Sequence, residues 1–149
     1  MDLSAQDYVA LLELYSKSTR LIGSGDAEGW ADLFTPDGVF AMPAIEAFGA
    51  PALEVKGREA LVGYIQQVID GTFDAQIGVA PGTKKRHQVT NVMLEATAPQ
   101  AAKGSAYLLM SVLEGGQPPR LFGMGVYTDR FLKTPGGWKI EHRLLTPDL

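Results

Sequence analysis

The opening segment of the chain repeats its apolar residues with the period of an α-helix. One face carries residues that are three or four positions apart, namely Tyr8, Leu11, Leu12, Tyr15, Thr19 and Ile22. Ser4, with Asp7 three residues later, is a suitable helix start, and Gly23 and Gly25 are suitable stops. The pattern therefore predicts a long amphipathic helix from Ser4 to Gly23.

Two further helices and a short strand are predicted before residue 71. Asp26 is placed to cap a short helix with an apolar face of Trp30, Leu33 and Phe34. Pro36-Asp37-Gly38 forms a turn that leads into a strand from Val39 to Met42. Residues 43–56 are rich in Ala, Pro and Gly without a clear period, which predicts a loop or mobile lid. Gly57 to Asp70 repeats its apolar residues as a third helix.

From Lys85 onward the hydrophobic period changes from helical to two. Four strands are predicted near residues 85–97, 103–114, 119–133 and 137–146, separated by Pro- and Gly-containing turns. In the last strand one face carries Trp138, Ile140, His142 and Leu144. The first strand alternates less cleanly, which indicates either a bulge or burial on both faces. Helices grouped before antiparallel strands predict an α+β domain with the helices on one face of a curved sheet.

Composition and charge narrow the class of protein. The chain has 149 residues, which predicts a single domain over residues 1–149. A net charge of −4 argues against a nucleic-acid partner. Without cysteine there is no disulfide, thiolate nucleophile or Cys-based metal site. No signal peptide or membrane-spanning run is recognisable, so we expect a cytoplasmic protein with no membrane partner.

Three motifs, in this order, resemble the SnoaL-like branch of the NTF2-like superfamily. The first runs from Gly25-Asp26 through Trp30 to Leu33-Phe34-Thr35-Pro36-Asp37-Gly38. The second is Arg86-His87 with Asn91-Val92, and the third is Gly125-x-Tyr127-x-Asp129 followed by Gly137-Trp138-Lys139-Ile140-x-His142-Arg143. Together these motifs extend over nearly the whole chain.

The resemblance implies a cone in which three N-terminal helices pack on a strongly curved antiparallel sheet and close a deep, mostly apolar pocket. Relatives include polyketide cyclases, scytalone dehydratase, ketosteroid isomerase, dehydrochlorinases and non-catalytic subunits. The resemblance also implies association through the second face of the sheet, so we expect a homodimer, with a trimer as the alternative. A small hydrophobic substrate and no cofactor are expected.

His87 is the strongest candidate for catalysis, because related dehydratases and lyases similarly place a histidine on this strand. Imidazole can accept and donate a proton near neutral pH. Tyr127 and Tyr15 are candidates for holding a substrate oxygen on which charge develops; the alternative for each is a core aromatic residue whose hydroxyl bonds a backbone group. Relatives such as scytalone dehydratase place an aspartate three residues before Asp26, where this chain has Gly23. We therefore expect a neutral group to orient His87, and its pKa to be near or below 6.5.

Other candidate site residues have alternative structural roles. Asn91 either bonds His87 or forms a bulge, and His142 is a core residue or a ligand contact. Candidate pocket walls, which core packing explains equally well, are Phe40, Met42, Phe48, Leu109, Met110, Phe122 and Met124. Asp26 and Asp37 are predicted to be structural. Asp129 is predicted to be a surface charge, with a partner of a site residue as the alternative. The two histidines lack metal-binding spacing, so no metal site is expected.

Two functions from different classes are consistent with these features. The first is a cofactor-independent lyase or isomerase that performs acid–base chemistry, of the dehydratase, cyclase or retro-aldol type, on a small oxygenated aromatic or polyketide-like molecule. The second is a non-catalytic ligand carrier or assembly module, such as the small subunit of an oxygenase. His87 favours the first function, whereas Gly23 favours the second.

Overall fold

Three helices form the first half of the chain in the computed structural model, which describes residues 2–148. They are α1 (Ala5–Ser24), α2 (Ala27–Ala31) and α3 (Arg58–Ile69). The Ser4 hydroxyl accepts a hydrogen bond from the Asp7 amide at 3.0 Å, and Gly25 ends α1 with a φ of 79°. The Asp26 carboxylate caps α2 by accepting from the Gly29 amide at 2.8 Å. The predicted start of α1, the Asp26 cap and the third helix are thus confirmed.

The buried face of α1 differs slightly from the predicted stripe. Leu11, Leu14, Tyr15 and Ser18 are its buried residues, whereas Tyr8 is 39% exposed. The stripe is rotated toward Leu14 and Ser18 because Ser18 contacts a buried arginine of the sheet. None of the described helices is both long and apolar enough to cross a membrane.

Six strands form one sheet in the order β2-β1-β6-β5-β4-β3. Their bounds are β1 (Phe34–Met42), β2 (Leu53–Lys56), β3 (Lys84–Ala98), β4 (Ala101–Leu113), β5 (Arg120–Thr134) and β6 (Gly137–Pro147). Neighbouring strands are antiparallel, except that β1 runs parallel to β6. The α+β class and the last four predicted strands are confirmed.

The region from residue 34 to residue 56 was incompletely predicted from the sequence. Pro36-Asp37-Gly38 lies within β1, where the register with β6 shifts between Phe34 and Val39, so it does not form a turn before the strand. A proline lacks the N–H for regular pairing and is tolerated at such an irregularity. The predicted loop also contains β2, which pairs with β1.

Bulges bend the sheet and change which side chains face the helices. In β3 the register shifts after Thr90, and Asn91 adopts a φ of 54°. In β6 it shifts at Glu141, between Ile140 and His142. Each extra residue inverts the alternation of side chains beyond it and increases the local twist. The bulge alternative for β3 is therefore confirmed.

The hydrophobic core lies between the helices and the concave face of this curved sheet. Residues at most 2% exposed come from both layers: Leu11, Trp30, Leu61, Leu108, Phe131 and Ile140. The concave face of β3 adds Val89, Val92 and Leu94 at the edge of this core. Side chains that face the helices thus define the interior in which a ligand site has to be sought.

Candidate functional site

His87 projects from β3 toward the concave face of the sheet. Its cross-strand partner is Met110 on β4, and both side chains are half-buried. The ring makes no hydrogen bond with any residue from 2 to 148. Burial, with a smaller contribution from the charge of Lys85, lowers the pKa of His87 to about 4. The imidazole is therefore neutral at physiological pH and available as a proton acceptor.

A buried ion pair lies beside His87. Lys85 occupies the same face of β3 two residues earlier, and its ammonium group donates to the Asp74 carboxylate. The two side chains are 14% and 3% exposed. Asp74 belongs to the segment between α3 and β3. The pair is not predictable from the sequence, because nothing in the local pattern connects an aspartate in a loop with the start of a strand.

A row of aromatic rings extends from β1 toward Asp74. The ring of Phe40 stacks on that of Tyr64 of α3, with ring centroids 5.2 Å apart. The ring centroids of Tyr64 and Phe73 are 6.1 Å apart. Burial raises the pKa of Tyr64 to about 12, so its hydroxyl remains protonated. Tyr64 was not predicted, although it lies three residues after the buried Leu61, which is a helical spacing that the sequence displays.

Deeper in the core, Arg143 and Asp129 form a second buried ion pair. Arg143 donates to both oxygens of Asp129 at 2.9 Å and to the Ser18 hydroxyl at 3.1 Å. Its guanidinium lies 4.1 Å from the ring centre of Tyr127 and 5.2 Å from that of Tyr15. The prediction that Asp129 is a surface charge is wrong, because this carboxylate is 1% exposed.

Tyr127 and Tyr15 are buried as predicted, on β5 and α1. Burial raises the pKa of both phenols, an effect that nearby Asp129 reinforces. The Tyr15 hydroxyl is fully enclosed and has no hydrogen-bond partner among the described residues. It lies against Gly104, where a Cβ atom would be only 2.8 Å away. Both tyrosines are therefore neutral hydrogen-bonding groups in an apolar interior.

The sheet register separates His87 from Tyr127. Tyr127 pairs with Ala106, which lies four residues along β4 from Met110, the partner of His87. On a flat sheet this places the Cα atoms of His87 and Tyr127 about 16 Å apart. The curvature of the sheet brings the tips of the two side chains closer together. A ligand that touches both side chains must therefore span roughly the length of a fused-ring system.

His142 and Asn91 lie outside this interior. The bulge at Glu141 places His142 opposite Arg130 on the outer face, whereas Arg143 faces the core opposite Asp129. The predicted common face for Trp138, Ile140, His142 and Leu144 is therefore wrong for His142 and for Leu144, which pairs with the exposed Thr128. Asn91 is exposed at its bulge, and its side chain makes no hydrogen bond within residues 2–148.

The predicted pocket walls divide between the two faces of the sheet. Phe40, Met42 and Met110 pack against the core on the concave side. Phe48 is 74% exposed and Met124 is 46% exposed, so neither lines the interior. Leu109 pairs with Met124 on the outer face, because it alternates with the buried Leu108. Phe122 is half-buried at a register shift of β5.

An open groove of about 620 Å³ lies at the other end of the sheet. Its lining includes the exposed Met93 and two surface ion pairs, Glu95 with Lys103 and Arg130 with Glu141. Neither histidine and none of the tyrosines lines it. Within residues 2–148 no group of three His, Asp or Glu side chains is arranged to hold a metal ion.

A curved sheet that encloses apolar residues and a neutral histidine against three helices defines the NTF2-like class of fold. The family model described as a SnoaL-like domain matches residues 4–144. The chain therefore belongs to the SnoaL-like domain family, as its motifs predicted. No curated protein matches the chain.

Solved structures share this fold. A protein of unknown function from Mycobacterium tuberculosis is 26% identical over 95% of this chain and 71% of that chain, with a TM-score of 0.74. An NTF2-like protein with a cystatin-like fold from Novosphingobium aromaticivorans is 20% identical over 95% and 82% of the two chains, with a TM-score of 0.75. Another from that organism, provisionally named a scytalone dehydratase, is 19% identical over 95% and 84%, with a TM-score of 0.70.

Proposed function

We propose that the chain is a cofactor-independent lyase or isomerase that acts on a small, hydrophobic, oxygenated molecule of aromatic or polyketide-like type. The observation that carries this proposal is the neutral His87 ring on the concave face, free of hydrogen bonds to described residues. The membership in the SnoaL-like family and the provisional name of one structural neighbour support it.

In this mechanism His87 accepts a proton from an activated C–H or O–H group and returns it to a leaving group or a neighbouring carbon. Tyr127 donates a hydrogen bond to the substrate oxygen on which negative charge develops, as Tyr15 does if the ligand reaches the deepest part of the cone. Because no carboxylate of residues 2–148 is hydrogen-bonded to His87, the substrate must supply acidity of its own, as in a carbon next to a carbonyl.

Exchange of acidic C–H hydrogens tests the proposal without the natural substrate. The bicyclic ketone 2-tetralone in D₂O provides such hydrogens, and NMR follows their replacement by deuterium. We expect the wild-type protein to accelerate exchange over buffer, and His87→Gln to lower this acceleration by about 10²–10⁴-fold. His142→Gln is the matched control, because its ring lies on the outer face and exchange should be unchanged. Undiminished exchange with His87→Gln would contradict the assigned base.

A ligand carrier or assembly module is the second candidate. It is favoured by Gly23, which is exposed and has open space where related enzymes place an aspartate. It predicts that 2-tetralone binds, with shifts of interior NMR signals, but undergoes no accelerated exchange. The same experiment therefore separates the two candidates.

A further inference from the structure

Lys85 and His87 are placed to contact the same small molecule. They are two residues apart on β3, and their partners on β4, Val112 and Met110, mark the concave face. Side chains at such positions project in the same direction from backbone positions about 7 Å apart. A ligand that reaches His87 from the interior therefore also comes within reach of the Lys85 ammonium group.

The Lys85 ammonium group has unused hydrogen-bonding capacity. It is 14% exposed, and among the described residues it donates only to Asp74. An ammonium group has three N–H donors, so two of them have no protein acceptor in residues 2–148. Burying charged donors without acceptors is costly. An anionic oxygen of a ligand would supply an acceptor for these N–H groups.

Asp74 leaves these donors available because it binds the lysine with a single oxygen. Its Oδ2 atom is buried and unpaired among the described residues. Oδ2 lies against Gly71, where a Cβ atom would be 2.5 Å away. The tetrahedral ammonium group of Lys85 therefore donates one N–H bond to Asp74, and its other two N–H bonds point away from this carboxylate.

An aromatic ring is carried by the same segment as the carboxylate partner of Lys85. Phe73 directly precedes Asp74, and its ring continues the row formed by Tyr64 and Phe40. Aromatic rings of this kind favour planar apolar ligands through offset or edge contacts. A ligand that contacts both these rings and the Lys85 ammonium group would carry a planar ring system at one end and an anionic oxygen at the other.

We propose that Lys85 binds an anionic oxygen, a carboxylate or a phenolate, of a planar aromatic substrate and thereby positions that substrate against His87. The inference rests on the proposed function, because it names the substrate class of the same site. It makes Lys85 a specificity-determining residue that sequence analysis did not identify.

Binding of two matched probes tests the assignment. The anion 2-naphthoate and its neutral analogue 2-naphthamide have nearly the same shape, so calorimetry compares the anionic oxygen alone. We expect wild-type protein to prefer naphthoate by about tenfold or more. Lys85→Met should abolish this preference and Lys85→Arg should retain it. Lys84→Met is the control, because Lys84 is exposed and its side chain points away from the interior.

A second variant guards against misfolding. Lys85→Met leaves the buried Asp74 carboxylate unpaired, whereas Lys85→Met/Asp74→Asn removes both charges. The double variant should likewise bind the two probes equally. Equal affinities of the wild-type protein for the two probes, or a preference that survives in the folded double variant, would overturn the assignment.

NMR signals of the two histidine rings separate this inference from the proposed function. We expect naphthoate to shift the signals of His87 and leave those of His142 unchanged. A Lys85-dependent preference without a shift at His87 would retain the anion site and overturn the proposed role of His87. A shift at His87 without any preference for naphthoate would retain that role and overturn the anion site.

Discussion

Replacing Arg143 by methionine should destabilise the fold far more than replacing an exposed arginine of the same sheet. Arg143 and Asp129 have side chains that are 1% and 0% exposed, with two hydrogen bonds of 2.9 Å between them. The change leaves a buried carboxylate without its cation, which typically costs about 3–5 kcal/mol. It also removes the donor to Ser18 and the cation above the Tyr127 ring.

Urea unfolding followed by tryptophan fluorescence measures this loss. With a slope of about 2 kcal/mol per molar urea, a loss of about 4 kcal/mol lowers the midpoint by about 2 M. Arg130→Met is the control, because the Arg130 side chain is 63% exposed and its Nε atom lies 3.6 Å from Glu141, and such pairs contribute about 0–1 kcal/mol. Arg143→Met/Asp129→Leu should recover much of the loss, since it leaves neither partner of this pair as an unpaired buried charge. A loss below about 1 kcal/mol for Arg143→Met would refute this account of the core.

Three further predictions concern pH, packing and association. As pH falls from 6.5 to about 4, the free energy of unfolding should decrease by up to about 3 kcal/mol, because His87 is protonated readily only in the unfolded chain. Urea unfolding at several pH values measures this decrease, and its His87 contribution should be absent from His87→Gln. Gly104→Ala should lower the free energy of unfolding by about 1–3 kcal/mol because the new Cβ atom would collide with Tyr15. Gly63→Ala, whose Cβ atom would lie in open space on α3, should raise the melting temperature, whereas Gly104→Ala should lower it. If the chain is a homodimer through the outer sheet face, Tyr107→Glu, at a 54% exposed position, should leave a 16.0 kDa species in sedimentation; wild-type protein sedimenting only at that mass would contradict dimerisation.

The boundaries of α1 and of the last four strands were predictable because they depend on local chemistry. Ser4 and Asp26 cap helices through their own side chains, and Gly25 adopts the positive φ that ends α1. The last four strands are separated by turns whose residues favour reversal of the chain. Short-range signals of this kind predict where elements begin and end without knowledge of their neighbours.

The faces of the strands were harder to predict, because one extra residue inverts them. The bulge at Glu141 sends Arg143 into the core and His142 to the outer face, opposite to the alternation in the sequence. The β3 bulge was visible as a break in the hydrophobic pattern. The β6 bulge was not, because alternation through His142 looked uninterrupted.

The sequence by itself determined the α+β class, the family and the placement of a histidine on a strand of the cone. Those properties reside in local periodicity and in motifs whose order along the chain is visible. The tertiary structure alone decided that Asp74 pairs with Lys85 beside His87, and that Asp129 pairs with Arg143 beneath two tyrosines. The two residues of such a pair are brought together by strand register and by the path of a loop. The sequence around a charged strand residue therefore does not show which opposite charge allows its burial.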